Sequence, residues 1–158
     1  MNGTFRDRWI RLSFKYPKHV SFRCEFCTLC CRDTENRIRR IFLLKAEAEN
    51  ISSETSMEID KFAERIEGFE PYIYQMKKTT DGKCIFLKGN LCSIYNVRPL
   101  VCRFYPFQLR SVGSNNYVFT YTNECPGIGK GAPLRREFFE KLFKAFIKTM
   151  KDYEWINI

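Results

Sequence analysis

Histidine occurs once in this chain, tryptophan twice, and long hydrophobic runs not at all. Without an uninterrupted apolar stretch near the ~20 residues that span a bilayer, no membrane segment is expected. The N-terminus Met1-Asn-Gly-Thr-Phe-Arg-Asp-Arg-Trp9 has neither an apolar core nor a cleavage site, so no secretory leader is expected and the cytoplasm is the expected compartment. No Gly-rich nucleotide loop stands between a strand and a helix; Gly127-x-Gly129-x-Gly131 lacks the preceding strand. A second histidine and a convincing acid/base pair are also missing, which argues against catalysis as the primary role. No repeat, low-complexity tract or Gly/Pro/Ser-rich linker divides the 158 residues, so one domain over 1–158 is expected.

What is abundant is sulfur. Four of the eight cysteines, Cys24, Cys27, Cys30 and Cys31, fall within eight residues. Disulfide geometry is hard to satisfy among four thiols on so short a loop, whereas a metal ion gathers soft thiolates readily. Cys84, Cys92, Cys102 and Cys125 follow in the second half beside turn or aromatic residues. An even count of eight would also suit a secreted disulfide scaffold with 105 pairings, but a reducing compartment favours metal or redox work and no disulfide-linked partner. An isolated buried cysteine can equally be a small hydrophobe, which bears on the later four. Cys84 and Cys92 flank Gly89-Asn90 as in knuckle-like metal sites, where a hairpin presents two sulfurs to one point. Adjacent Cys30 and Cys31 require either a sharply bent loop or service to two different sites. His19 is expected to face solvent rather than to ligate.

Fifteen Phe and eight Tyr within a 44% hydrophobic chain provide for a packed core. The net charge is +9, and a metal bound by four thiolates would lower it by about 2. The excess is uneven: residues 1–40 hold ten Lys/Arg against four Asp/Glu, whereas residues 41–80 hold five against eight. Arg6, Arg8, Arg11, Lys15 and Lys18 interleave with Phe5, Trp9, Phe14 and Tyr16, a pattern that suits either a nucleic-acid surface or a solvated basic face.

Periodicity predicts strands over Trp9–Tyr16, Arg37–Leu44 and Tyr72–Lys77, and a hairpin pairing Phe107–Arg110 with Tyr117–Tyr121. Lys45–Asn50 reads as a brief helix. A second helix is expected over Met57–Glu67, capped by Ser53 or Thr55 and ended by Gly68. Pro99 opens a helical turn holding Cys102, and Cys125–Gly131 reads as a loop. The last helix, about 133–152, carries Leu134, Phe138, Phe139, Leu142, Phe143, Phe146, Ile147 and Met150 at helical spacing, with Arg135, Arg136 and Lys144 elsewhere on its circumference. The fold class expected is α+β: short antiparallel strands and helices stapled by cysteine-ligated metal, with a C-terminal amphipathic helix.

Phe22-x-Cys24-x-x-Cys27-x-x-Cys30-Cys31, Cys84-Ile-Phe-Leu and Cys92-x-Ile-Tyr-x-x-Arg98-Pro99-x-x-Cys102-Arg103-x-Tyr-Pro106-Phe107 resemble the CxxCxxCC family, which is similar to the cysteine-rich part of flagellin lysine methylase. The resemblance covers roughly residues 22–126, leaving the basic segment 1–21 and the last helix outside it. It implies a zinc- or iron-chelating domain and leaves the metal open. Arg98 and Arg103 flank Cys102 closely enough to support metal-bound sulfur or to pair with a carboxylate.

All eight cysteines are expected to ligate, holding one or two zinc ions or a [4Fe-4S] cluster. The expected role is a non-catalytic metal-binding module associating with RNA or a ribonucleoprotein such as the ribosome. Arg6, Arg8, Arg11, Lys15, Lys18, Arg135, Arg136 and Lys144 would meet the phosphates. The alternatives are an iron–sulfur accessory or enzyme related to protein lysine methylation, and a metal carrier or sensor.

Overall fold

The computed structural model describes the backbone of residues 2–6 and 11–156 and the side chains of residues 12–150. Arg8 lies outside the described residues, as do the side chains of Arg6 and Arg11. The elements are mixed α and β, with strands short and mostly antiparallel and a long C-terminal helix. The chain forms two compact units, one from Met1–Glu25 with Phe104–Lys148, the other from Phe26–Arg103 with Thr149–Ile158.

The first unit is built on a sheet of β1 (Asn2–Arg6), β2 (Arg11–Lys15), β10 (Asn116–Tyr121) and β9 (Phe107–Gly113), in that order. β1 pairs with β2 and β9 with β10 antiparallel; the Gly113-Ser-Asn-Asn turn predicts the second pair, whereas β1 is not among the expected strands. β2 and β10 run parallel, which no local pattern announces. The expected strand over Trp9–Tyr16 shortens to β2 among the described residues.

α4 (Arg136–Ile156) starts a little later than expected because Leu134 donates its N–H to Val20 O at 2.8 Å. Its Phe139, Leu142 and Phe143 are buried with Phe14, Phe107 and Phe119. The Phe14 and Phe143 rings lie 4.7 Å apart, and Phe119 and Phe139 5.2 Å. Each such burial stabilises by about 1.5–3 kcal/mol, so the aromatic stripe is core.

The expected loop at Cys125–Gly131 is a strand in its second half. β11 (Ile128–Pro133) pairs with β3 (Ser21–Phe22) across an irregular register. Arg23 donates its N–H to Gly127 O at 3.1 Å, and a Cβ on Gly127 would stand 2.2 Å from Arg23 O. The close backbone approach, rather than a nucleotide, explains this glycine.

The second unit contains β4 (Phe42–Leu43), α1 (Lys45–Thr55), α2 (Ile59–Phe62), β5 (Ala63–Arg65) and β6 (Tyr74–Met76). After these come β7 (Leu87–Lys88), β8 (Leu91–Cys92) and α3 (Leu100–Phe104). The sheet order is β4-β6-β5, with β7-β8 a separate hairpin turning at Gly89-Asn90 as predicted. Two helix expectations are corrected. α1 runs on through Ser53 to Thr55, ending at Ser56 in the left-handed region (φ 56°). The helix expected over Met57–Glu67 stops after one turn, because Ala63 extends and pairs with Met76, burying both. Tertiary pairing overrides the helical spacing of Ile59, Phe62 and Ile66. The strand expected over Arg37–Leu44 shrinks to β4, its first half being drawn instead into bonds with the cysteine loop.

Glu47 links two helix starts. Its carboxylate accepts the Leu44 N–H at 2.9 Å and the Leu100 N–H at 2.7 Å, capping α1 and fixing the entry to α3, which carries Cys102. Burial raises the Glu47 carboxyl above its ordinary value, against those two N–H donors and the charge of Arg103.

Two outcomes are expected. Gly127→Ala forces β3 and β11 apart and should cost on the order of 2–3 kcal/mol in denaturant titrations; an unchanged midpoint contradicts the close approach. Glu47→Ala, stripped of both capping acceptors, should lose about 1–2 kcal/mol. Glu47→Gln should gain on the wild type as pH rises. A raised carboxyl contributes stability below its ordinary value and loses it as pH climbs through the folded one, a loss that glutamine does not share. Equilibrium unfolding at acid and neutral pH measures the difference.

Candidate metal centre

The cysteine loop bends through residues that rarely adopt such backbone. Phe26 and Thr28 have φ of 55° and 68°, and Leu29–Cys31 form a 3-10 turn closed by Cys31 N–H donating to Thr28 O at 2.9 Å. Positive φ in residues bearing a Cβ costs energy that surrounding bonds must offset. Arginines supply them: Arg32 Nε donates to Thr28 Oγ1 at 2.9 Å, Arg37 Nη2 to Leu29 O at 2.6 Å and Arg39 Nε to Cys30 O at 3.0 Å.

The bend brings the Cys30 and Cys31 sulfurs to 3.5 Å. That is far beyond a disulfide bond and close to the ~3.8 Å edge of a tetrahedron with metal–sulfur bonds of about 2.3 Å. The sharply bent loop is therefore the alternative realised. Among the described residues, no disulfide joins any of the eight cysteines.

Three further sulfurs come from separate segments of the same unit. Cys84 is buried just after the Asp81-Gly82 turn; its backbone N–H donates to Cys31 O at 2.7 Å and Lys78 bridges to it. Cys92 ends β8, and Cys102 lies in α3. Their electrostatics are mutual. Burial raises the Cys84 thiol, opposed by the backbone N–H groups of Phe86 and Leu87, and the charges of Cys92 and Cys30 raise it further. Burial also raises Cys92, with the Ile94 N–H and Arg98 opposing and Cys30 adding to the rise. Cys102 is pushed up to about 12 by burial, with Arg39 opposing and the charges of Cys84, Cys30 and Cys92 adding.

Cys30 alone is held down, to about 6, first by the hydrogen bond from Cys31; burial works against this, while Arg39, its own N–H and Arg98 assist. Cys31 rises through the same hydrogen bond, burial, and the charges of Cys30, Cys102 and Cys84.

The donor set fits a soft thiophilic cation. Amides two and three residues beyond Cys84, and two beyond Cys92, lower those thiols against burial, as backbone N–H groups near a thiolate do, and Leu87 N–H also donates to Cys84 O at 2.9 Å. Arg98 lies with its guanidinium carbon 3.8 Å above the Tyr95 ring centre, and its buried Nε–H has no hydrogen-bond partner among the described residues. Its charge lowers Cys30 and Cys92, whereas the arginine acting on Cys102 is Arg39. Among the described residues, no three or more His, Cys, Asp or Glu side chains are placed so that they could hold a metal ion as they stand. Ligation would therefore need the thiols to deprotonate and draw in, which a divalent cation drives by reversing their mutual repulsion.

Cys27 is half-buried at the start of the second unit; Cys24, exposed, and Cys125, buried, belong to the first. Arg103 is exposed, and its charge bears on Glu47. His19 is exposed at φ 61°. Sequence reasoning passed over Arg37 and Arg39, although their alternation with Ile38 directly after the cysteine loop was a usable signal.

No helix among the described residues is long and apolar enough to cross a membrane. No solved structure matches the chain. An uncharacterized protein of Methanocaldococcus jannaschii is 31% identical over 109 residues, covering 67% of this chain, which thereby spans 55% of that relative's length. The family model described as "Putative zinc- or iron-chelating domain" matches residues 23–126, a span that holds all eight cysteines, and on that match the chain belongs to the CxxCxxCC family.

Proposed function

We propose that the chain is a non-catalytic metal-thiolate module whose second unit binds zinc or an iron–sulfur cluster through four thiolates drawn from Cys30, Cys31, Cys84, Cys92 and Cys102. The observation that carries this reading is the 3.5 Å approach of the Cys30 and Cys31 sulfurs on a loop that Cys84 joins through its N–H to Cys31 O at 2.7 Å, with Cys92 and Cys102 in the same unit. Bound metal would lend its charge to that cluster, and the segments it joins are far apart in sequence. Binding free energy then becomes folding free energy. Cys24 and Cys125, in the other unit, are left out of this donor set.

Anaerobically purified protein should contain metal in stoichiometric amount, brown if iron–sulfur and colourless if zinc. At least two of Cys84→Ser, Cys92→Ser and Cys102→Ser should abolish it in elemental analysis; full retention in two or more overturns the reading. Chelation should lower the melting temperature and the far-ultraviolet circular dichroism together. An unchanged melt after verified metal removal would point to an exchangeable carrier instead.

Charge partition favours an anionic partner for the first unit, and we read that partner as RNA or a ribonucleoprotein. That unit holds thirteen Lys/Arg against five Asp/Glu, nearly the whole excess of the chain. Lys15, Lys18, Arg135, Arg136 and Lys144 are exposed, with Arg136 3.7 Å from Glu140. Affinity for an unstructured RNA should fall steeply with salt. Changing Lys15, Lys18 and Arg135 together to Ser should reduce the slope of log affinity against log salt by about 2–3 without loss of metal. No association at about 50 mM salt would refute RNA binding.

A further inference from the structure

We propose that Arg39 is a positioning residue for the metal centre: its guanidinium spans the Cys30 turn and the Cys102 helix and sets the spacing at which their sulfurs converge. This inference rests on the metal-thiolate reading above.

Three bonds locate Arg39. Its Nε donates to Cys30 O at 3.0 Å and its Nη2 to Val101 O at 3.4 Å, so one planar group holds carbonyls adjoining two thiols that are 72 positions apart in sequence. Its backbone N–H donates to Asp33 Oδ1 at 2.7 Å, which anchors the root of the side chain. Asp33 is itself clamped: Lys78 Nζ stands 2.7 and 2.9 Å from its two oxygens, and Asp33 N–H donates to Gly82 O at 2.9 Å. Lys78 bridges to Cys84, and a Cβ on Gly82 would stand 3.0 Å from Asp33 Oδ2. Through one arginine and one aspartate, the backbones that carry Cys30, Cys84 and Cys102 become a single hydrogen-bonded frame.

The residue type matters because only guanidinium offers donors in fixed, divergent directions on one rigid plane. A lysine ammonium would supply the same charge from one point, without the separated and fixed donors that meet the Cys30 and Val101 carbonyls. Charge compensation and spacing are thereby separable by substitution.

The test titrates cobalt(II) into anaerobic metal-free full-length protein, following the sulfur-to-cobalt charge-transfer and d–d bands. Arg39→Met and Arg39→Lys should both need roughly 10- to 100-fold more cobalt for half-saturation, with weaker charge-transfer absorption per bound ion. Asp33→Asn, which loosens the anchor and keeps the arginine, should show a smaller loss in the same direction. A residue that only stabilised the fold would lower the melt of the metal-free protein and leave the spectrum per bound cobalt unchanged. Wild-type affinity in Arg39→Lys would assign the effect to charge alone and overturn the positioning role, as would a wild-type spectrum in Arg39→Met. If neither Arg39 variant folds, wild-type affinity and spectrum in Asp33→Asn overturn it. Absence of sulfur-to-cobalt absorption in the wild type would overturn the metal reading and this inference with it.

Discussion

Cys30 and Cys31 hold their sulfurs 3.5 Å apart in a loop whose unit also carries Cys84, Cys92 and Cys102, and among these buried and half-buried thiols each charge makes the next harder to form. Burial first, and then the charges of Cys84, Cys30 and Cys92, push Cys102 up to about 12, while the hydrogen bond from Cys31 holds Cys30 at about 6. Guanidinium groups and amides oppose this repulsion from the periphery: Arg39 and Arg98 by charge, the N–H groups after Cys84 and Cys92 by hydrogen bonding. A cation gathered by the sulfurs would remove the repulsion at its source.

Around that cluster the second unit has little regular structure of its own. Its strands run to two or three residues and its apolar core is one group that includes Leu43, Ile51, Phe62 and Phe86. Cys84 belongs to that core, and Cys31, Cys92 and Cys102 pack against it, so the thiol cluster and the hydrophobic centre share a boundary. Such a unit gains from any crosslink that joins its loops, which accounts for the side-chain bonds made to carbonyls of the cysteine loop by Arg37 and Arg39. The first unit is different in kind: a sheet and a long helix bury several phenylalanines among their own residues, and most of the net charge lies on that unit.

Local signals read well where chain neighbours settle the outcome. The C-terminal helix, the Phe107–Tyr121 hairpin, the Gly89-Asn90 turn and the helical turn carrying Cys102 were all visible in spacing and turn chemistry. Readings failed where a distant strand competed. Ala63–Arg65 left a helical pattern to pair with Tyr74–Met76, and Ile128–Pro133 left a loop to pair with Ser21–Phe22. Neither contest is visible in a short window, because the winning partner lies outside it.

The sequence by itself determined the chemistry on offer: eight thiols, their spacing, the family they mark, and a basic excess concentrated in the N-terminal segment. Tertiary structure alone decided which of those thiols share a unit. Cys30, Cys31, Cys84, Cys92 and Cys102 lie in one unit with Cys27, while Cys24, of the same motif, lies with Cys125 in the other. It also singled out Arg39, whose worth lies in spanning two carbonyls that only folding brings together. Spacing in sequence fixes reach along the chain, whereas a centre requires convergence in space, and convergence is set by bonds between segments that no local pattern records.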